Sequence, residues 1–237
     1  MITRVGSTER AKSEGAGSAG AGSGLLVLKV GGASVERIAL PGEPCVVVHG
    51  AGPQISDEMA RRGLEPEFVA GRRVTTPAVL EIVRESFAAV NAAVCMAIGP
   101  RAVPLYGEEI GLLAEPQPEL GLVGAAISSA PPAILAALDA GLVPVVTPMA
   151  AGPLNVNADE MAAALAVGLG AERLLFVTDV PGVFHDGRLL ESIAASRAEE
   201  LVGDGSFEGG IVPKLLAAVQ AARGGLFAEI CATAVVA

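Results

Sequence analysis

The sequence predicts an α/β protein with a mainly parallel central sheet and helices on both of its faces. Three observations carry this prediction. Apolar runs at residues 25–30, 45–48 and 174–177, with VPVVT at 143–147 and a last strand at 226–231, suit strands of a mainly parallel sheet buried on both faces. Helical patterns fall between these runs, which is how parallel strands are connected. Small, glycine-rich segments stand where the first two runs end, and open α/β sheets bind their ligands at that edge.

Each element has its own local warrant. The first run leads through a short helix candidate at 34–40 to the second run. The helix at 54–62 places Ile55 and Met59 on one face. Thr76-Pro77 opens a long helix to about residue 98, with Thr as the cap and Pro in the first turn. Further helices are expected at 134–139, at 159–168, which is rich in Ala, and at 213–223. Residues 1–24 are rich in Gly, Ser and Ala with little to bury, and read as a flexible tail. Its Gly15, Gly17 and Gly20 match the dinucleotide-binding spacing, but they follow no strand and open no apolar helix.

Composition excludes several functions. With 237 residues and 51 % hydrophobic content, the chain can bury a substantial core. Trp is absent and Phe and Tyr are few, so no stacking platform for nucleic acid is expected. A net charge of −10 repels phosphate backbones and anionic lipids. No apolar stretch is long enough for a membrane span, and the N-terminus has no signal-peptide core. Cys45, Cys95 and Cys231 are scattered among apolar residues, as buried thiols of a cytoplasmic protein would be.

Five segments carry charge or polarity where chemistry needs it. Lys29 sits one residue from the end of a buried strand and is followed by Gly31 and Gly32, whose amides can approach an anion. It either serves a ligand or snorkels to water. His49-Gly50-Ala51-Gly52-Pro53 leads into a helix N-terminus, either an anion cradle or a tight turn. His49 itself is read as structural. Arg72 and Arg73, before a capped helix, are a carboxylate clamp or a solvated pair. Asn155, Asn157 and Asp159 crowd five residues, and capping explains one of them. Gly209-Gly210 precedes Lys214 at a helix start, where a cation opposes the macrodipole.

Seven segments in order, KVGG (29–32), VVHGAGP (47–53), GRRVT (71–75), LGLVG (120–124), LNVNAD (154–159), TDVPGV (178–183) and GGIVPK (209–214), together resemble the amino-acid kinase family, and within it the members acting on N-acetyl-L-glutamate. The resemblance runs from about residue 25 to residue 231. It implies a three-layer sandwich and transfer of the γ-phosphoryl group of Mg-ATP to the γ-carboxylate of N-acetylglutamate in arginine biosynthesis. It further implies an amino-acid-binding lobe at 25–150, an ATP-binding lobe at 151–237 and a homodimer. By position, Lys29, Lys214 and Asp159 would be catalytic. Ala51, Gly52, Arg73 and Asn155 would bind the acceptor. Gly31, Gly32, Thr178, Asp179, Val180, Gly182, Val183, Phe184, Gly209, Gly210 and Ile211 would bind ATP. No side chain is singled out as a metal ligand, and Mg²⁺ would be held by the nucleotide phosphates.

The chain departs from the family in three ways. Ala51 replaces a glycine and would be strained if its φ were positive. The crossover after Lys29 is short. After residues 226–231 only an apolar stub is left, so an uncovered sheet edge and a shortened nucleotide lobe are expected. Two other functions fit the same motifs: a sister kinase acting on carrier-protein-linked aminoadipate or glutamate, and a non-catalytic amino-acid-binding regulator.

Overall fold

The computed structural model describes residues 24–31, 40 and 42–237. Most of the tail, Gly32 and the helix expected at 34–40 apart from Leu40 lie outside these residues. In chain order the first elements are β1 (Leu26–Val30), β2 (Cys45–His49), α1 (Gly52–Arg61), β3 (Phe68–Val69), β4 (Arg72–Arg73) and α2 (Pro77–Ile98). Next come β5 (Ala102–Tyr106), β6 (Leu113–Pro116), β7 (Val123–Ile127), α3 (Pro132–Asp139), β8 (Val143–Thr147), β9 (Met149–Ala150) and β10 (Leu154–Val156). The last are α4 (Ala158–Gly168), β11 (Arg173–Val177), β12 (Phe184–His185), β13 (Arg188–Leu189), β14 (Ser192–Ala194), α5 (Ala195–Gly203), α6 (Ile211–Arg223), β15 (Phe227–Ile230) and β16 (Thr233–Val236).

One eight-stranded sheet, ordered β14-β16-β15-β11-β1-β2-β8-β5, spans the molecule. All its pairings are parallel except β15 with β16. The expected mainly parallel sheet with helices on both faces is therefore present. β6, β7, β9 and β10 form a separate four-stranded sheet, and β3–β4 and β12–β13 are hairpins. These short strands escaped sequence reading because two to five residues carry too little periodicity.

Strand alternation sorts the core into two clusters, one per face of the sheet. Leu26, Leu28 and Val30 pack with Val47, Val145 and the buried stripes of α1 and α2. Val27 faces the other way and packs with Val46, Val146, Phe176 and residues of α4 and α6. Lys29 shares the Val27 face by the same alternation, and that places it under α4.

α2 shows how sequence sets an element's limits. Thr76 accepts a hydrogen bond from the Val79 amide, Pro77 fills the first turn, and Gly99 at φ +86° ends the helix. Its buried positions, Val79, Leu80, Val83, Phe87, Val90 and Val94, repeat at three and four residues.

Three expectations need correction. Residues 232–237 are not a stub: Thr233–Val236 is a strand paired on one side with β15 and on the other with β14. The edge left by β15 is thus covered from within the chain. Ala51 has φ −137°, an ordinary value for an L-residue, so the substitution costs no backbone strain there. Of the three free thiols, only Cys45 is fully buried. Among the described residues no helix is long and apolar enough to cross a membrane.

His49 is fully buried and holds the layer behind the site. The Asn91 amide nitrogen donates to the Val145 carbonyl and lies 3.2 Å from His49 Nε2. Nε2 is then the acceptor, and the neutral ring carries its proton on Nδ1. Burial drives the imidazole pKa down to about 4 from its ordinary 6.5. Between those values the unfolded chain takes up a proton that the folded chain refuses, so stability falls as the solution is acidified. The loss from this residue should reach about 3 kcal/mol by pH 4. Thermal melts from pH 7.5 down to about 4.5 should show a shallower acid slope for His49→Gln than for the unaltered protein.

Candidate active site

Lys29 and Asp159 meet because neighbouring layers aim them at one point. Lys29 is near the C-terminal end of β1. Asp159 is in the first turn of α4, which Asn157 caps by accepting from the amides of Asp159 and Glu160 at 2.8 and 3.2 Å. Lys29 Nζ lies 2.8 Å from Asp159 Oδ1 as an ion pair, and Lys214 Nζ donates to Oδ2 at 3.4 Å. Lys29 and Asp159 are 5 % and 6 % exposed, so this cluster is almost dry. Burial pushes the Lys29 pKa below its ordinary value, and Asp159 opposes the shift. One carboxylate is thus flanked by two ammonium groups, leaving an excess of positive charge for an anion to balance.

Two clefts open on either side of this cluster, both at the C-terminal ends of parallel strands. The first is lined by Gly50, Ala51, Gly52, Arg73, Asn155 and Asp159, with Phe68, Phe87 and Val123 as apolar wall. The second is lined by Thr178, Asp179, Val180, Gly210, Ile211 and Lys214. Lys29 borders the first and Lys214 the second.

Arg73 brings a buried cation to the first cleft. It is 6 % exposed, and among the described residues no carboxylate lies within ion-pair distance of it. Nη2 donates to Ser56 Oγ at 2.8 Å and to the Gly52 carbonyl at 3.1 Å, while Nη1 rests on the Met59 sulfur at 3.1 Å. The guanidinium also stacks 4.5 Å from the Phe68 ring centroid. Desolvation lowers its pKa. A buried cation held by neutral partners is costly unless an anion joins it.

Asn155 reaches the same cleft from β10. Its Nδ2 donates to Thr75 Oγ1 at 3.0 Å, and Thr75 Oγ1 in turn donates to the Arg73 carbonyl at 2.7 Å. Thr75 was missed as a site residue, although it stands inside the GRRVT segment. The LGLVG segment supports it: Thr75 N–H donates to the Leu120 carbonyl at 2.9 Å, and the Leu122 amide donates to the Thr75 carbonyl at 2.7 Å. Gly121 has φ +83°, and a Cβ there would sit 2.4 Å from the Thr75 oxygen. Only glycine fits.

The remaining expected residues divide. Arg72 and Arg73 both line the first cleft, but alternation along β4 sends their side chains apart and Arg72 pairs with Glu160. Gly182, Val183 and Phe184 do not line the second cleft. The Val183 side chain is buried in the core, its amide donates to Thr233 Oγ1 at 2.9 Å, and Phe184 projects from β12. Gly209 adjoins the second cleft, and Gly31 lines neither.

The sequence matches the profile of the Amino acid kinase family over residues 24–231. This chain belongs to that family. Acetylglutamate kinase of Rubrobacter xylanophilus is 40 % identical over 221 residues, which cover 86 % of this chain and 87 % of that protein. Acetylglutamate kinase of Methanopyrus kandleri is 40 % identical over 225 residues, covering 85 % and 92 %. The crystal structure of smu.665 from Streptococcus mutans superposes with a TM-score of 0.82 at 23 % identity, over 90 % of this chain and 99 % of that one. At that identity the superposition shows a shared fold alone.

The buried triad makes its own prediction. Asp159→Asn leaves the Lys29 ammonium without a counter-charge and should cost about 3 kcal/mol at neutral pH. Raising the pH towards 10.5, the ordinary lysine value, should shrink the loss as Lys29 releases its proton. Denaturant titrations at several pH values check this, and Lys29→Met added to Asp159→Asn should regain part of the loss.

Proposed function

We propose that this kinase transfers the γ-phosphoryl group of ATP to the γ-carboxylate of N-acetyl-L-glutamate, forming N-acetylglutamyl 5-phosphate and ADP in arginine biosynthesis. The observation that carries the reading is the Lys29–Asp159–Lys214 cluster between two clefts, with Arg73 uncompensated in one of them. The likeness to acetylglutamate kinases at 40 % identity over most of the chain supports the same acceptor. The acceptor is assigned to the first cleft, lined largely from residues 25–150, and ATP to the second, within residues 151–237. The functional protein is proposed to be a homodimer.

The chemistry asks little of a base. A carboxylate is ionised at neutral pH, so its oxygen attacks the γ-phosphorus directly. The new P–O bond forms as the bond to the ADP oxygen breaks, and no proton needs to move. The protein's task is to hold two anions together and to offset charge on the transferring group. Lys29 and Lys214 supply the cations, and Asp159 fixes both ammonium groups without neutralising the pair. Arg73 is assigned to the α-carboxylate, with Asn155 beside it on the Thr75 bridge. Ala51 and Gly52, where the chain enters α1, line the same cleft, and their amides are assigned to the attacking carboxylate, whereas the Gly50 amide donates to the Val30 carbonyl at 3.0 Å.

Mg²⁺ fits as a passenger on ATP. Among the described residues no group of three or more His, Cys, Asp or Glu side chains could hold a metal, and Asp159 is already engaged by two lysines. Bound through the phosphates, the ion would offset their charge.

The cleft mouth favours a free amino-acid derivative over a carrier-linked one. Of the basic side chains that line it, Lys29 and Arg73 are buried and Arg72 is paired with Glu160. An acidic carrier protein would meet no free basic patch among these lining residues.

A coupled assay of ADP release should give a kcat/KM for N-acetylglutamate at least about 10²-fold above those for glutamate and aspartate, which lack the acetyl group. No release with N-acetylglutamate would overturn the acceptor. Lys29→Ala and Lys214→Ala should each lower kcat by roughly 10²-fold or more. For Arg73→Lys the expected change is a raised KM for N-acetylglutamate with that for ATP nearly constant, since lysine cannot reproduce the bidentate fork. Equal rises in both would make Arg73 structural instead.

A further inference from the structure

Two neighbouring residue pairs divide their labour across the acceptor cleft. On β4, alternation sends the side chains of Arg73 and Arg72 to opposite sides of the strand: Arg73 is buried against α1, while Arg72, at the border of the same cleft, is bound to Glu160. In the first turn of α4, Asp159 meets the lysines while Glu160 meets Arg72. The Arg72–Glu160 contact is bidentate, Nε to Oε1 at 2.9 Å and Nη2 to Oε2 at 3.0 Å, between side chains 26 % and 20 % exposed. A second tie runs beside it: Asn157 Nδ2 donates to the Gly71 carbonyl at 3.0 Å. Gly71 also rests on the Pro213 ring, 3.2 Å from where a Cβ would stand, and Pro213 precedes Lys214.

Beyond these ties and the contacts of Arg73 with α1, the β3–β4 hairpin has little to hold it. Phe68 and Val69 are 54 % and 46 % exposed, and each strand is two residues long. A two-stranded ribbon of that size has no stability of its own. Its position therefore comes from the side chains that tie it to the body.

We infer that Arg72 and Glu160 are positioning residues: their ion pair latches the hairpin onto the first turn of α4 and so fixes Arg73 relative to Asp159. The use made of the latch rests on the acceptor reading given above. The fork-to-fork geometry limits rotation as well as distance, which a single-point contact does not. Catalysis feels such placement strongly, because small displacements of a reacting group cost rate. Neither side chain lines the second cleft, so the latch acts on the acceptor and leaves the nucleotide alone.

The test is a double-mutant cycle on the full chain with Arg72→Gln, Glu160→Gln and both together, plus Arg72→Lys. Hydrogen exchange of residues 68–74 without ligand reads the hairpin directly. Calorimetric titration with N-acetylglutamate and, separately, with Mg-ATP reads its consequence. Each single Gln variant is expected to speed exchange in the hairpin and to weaken N-acetylglutamate binding about fivefold, with Mg-ATP binding unchanged within about twofold. The double variant should be no worse than the poorer single one, and Arg72→Lys should fall between it and the unaltered protein. Unchanged exchange at 68–74, additive losses, or equal loss of both ligands with a lower melting temperature would each overturn the latch. If the unaltered protein binds no N-acetylglutamate, the acceptor reading falls. The exchange comparison needs no ligand and then decides the latch by itself.

Discussion

A buried carboxylate between two ammonium groups organises this molecule. Asp159 is contributed by the first turn of α4, Lys29 by the central strand β1 and Lys214 by the first turn of α6. Placing three charges where water scarcely reaches is costly unless each has a partner, and here a single anion serves two cations. The arrangement is stable enough to fold yet remains short of one negative charge. In the proposed reaction that shortage would be the functional asset, because a phosphoryl group in transfer carries negative charge that such a cluster can meet.

The rest of the fold can be understood as support for that point. Parallel pairing puts the C-terminal ends of β1, β2 and β11 side by side, so the loops carrying the two clefts emerge next to each other. The two core clusters press the helices onto opposite faces and fix α4 and α6 against the strand that bears Lys29. The small second sheet holds Asn155 beside Val123, and through Thr75 it reaches the backbone of Arg73.

The division of Arg72 from Arg73 shows how adjacent residues acquire unlike duties. A strand sends consecutive side chains to opposite sides, so one guanidinium became buried with no counter-charge among the described residues and the other joined a carboxylate on a different element. The same holds along Asn155, Asn157 and Asp159. One is bridged through Thr75, one caps the helix, and one is held by lysines. Short polar runs at the junction of a strand and a helix can therefore serve several purposes at once.

The sequence by itself determined the α/β class, the long strands and helices, and the residues that form the charged cluster. Apolar runs, the Thr76-Pro77 helix start and the seven glycine- and charge-bearing segments are local signals, legible without coordinates. Tertiary structure decided what local signals do not contain. It made residues 233–236 a strand, since an apolar tetrapeptide has no period of its own and takes its conformation from β14 and β15. It left Ala51 unstrained, because φ is set by the path of the chain into α1. It buried Val183 in the core and brought Thr75, Phe68 and Glu160 to the first cleft or its border, by contacts between residues up to 88 apart in sequence. Such pairings depend on which faces the sheet and helices present to each other, and that is fixed only when the layers close.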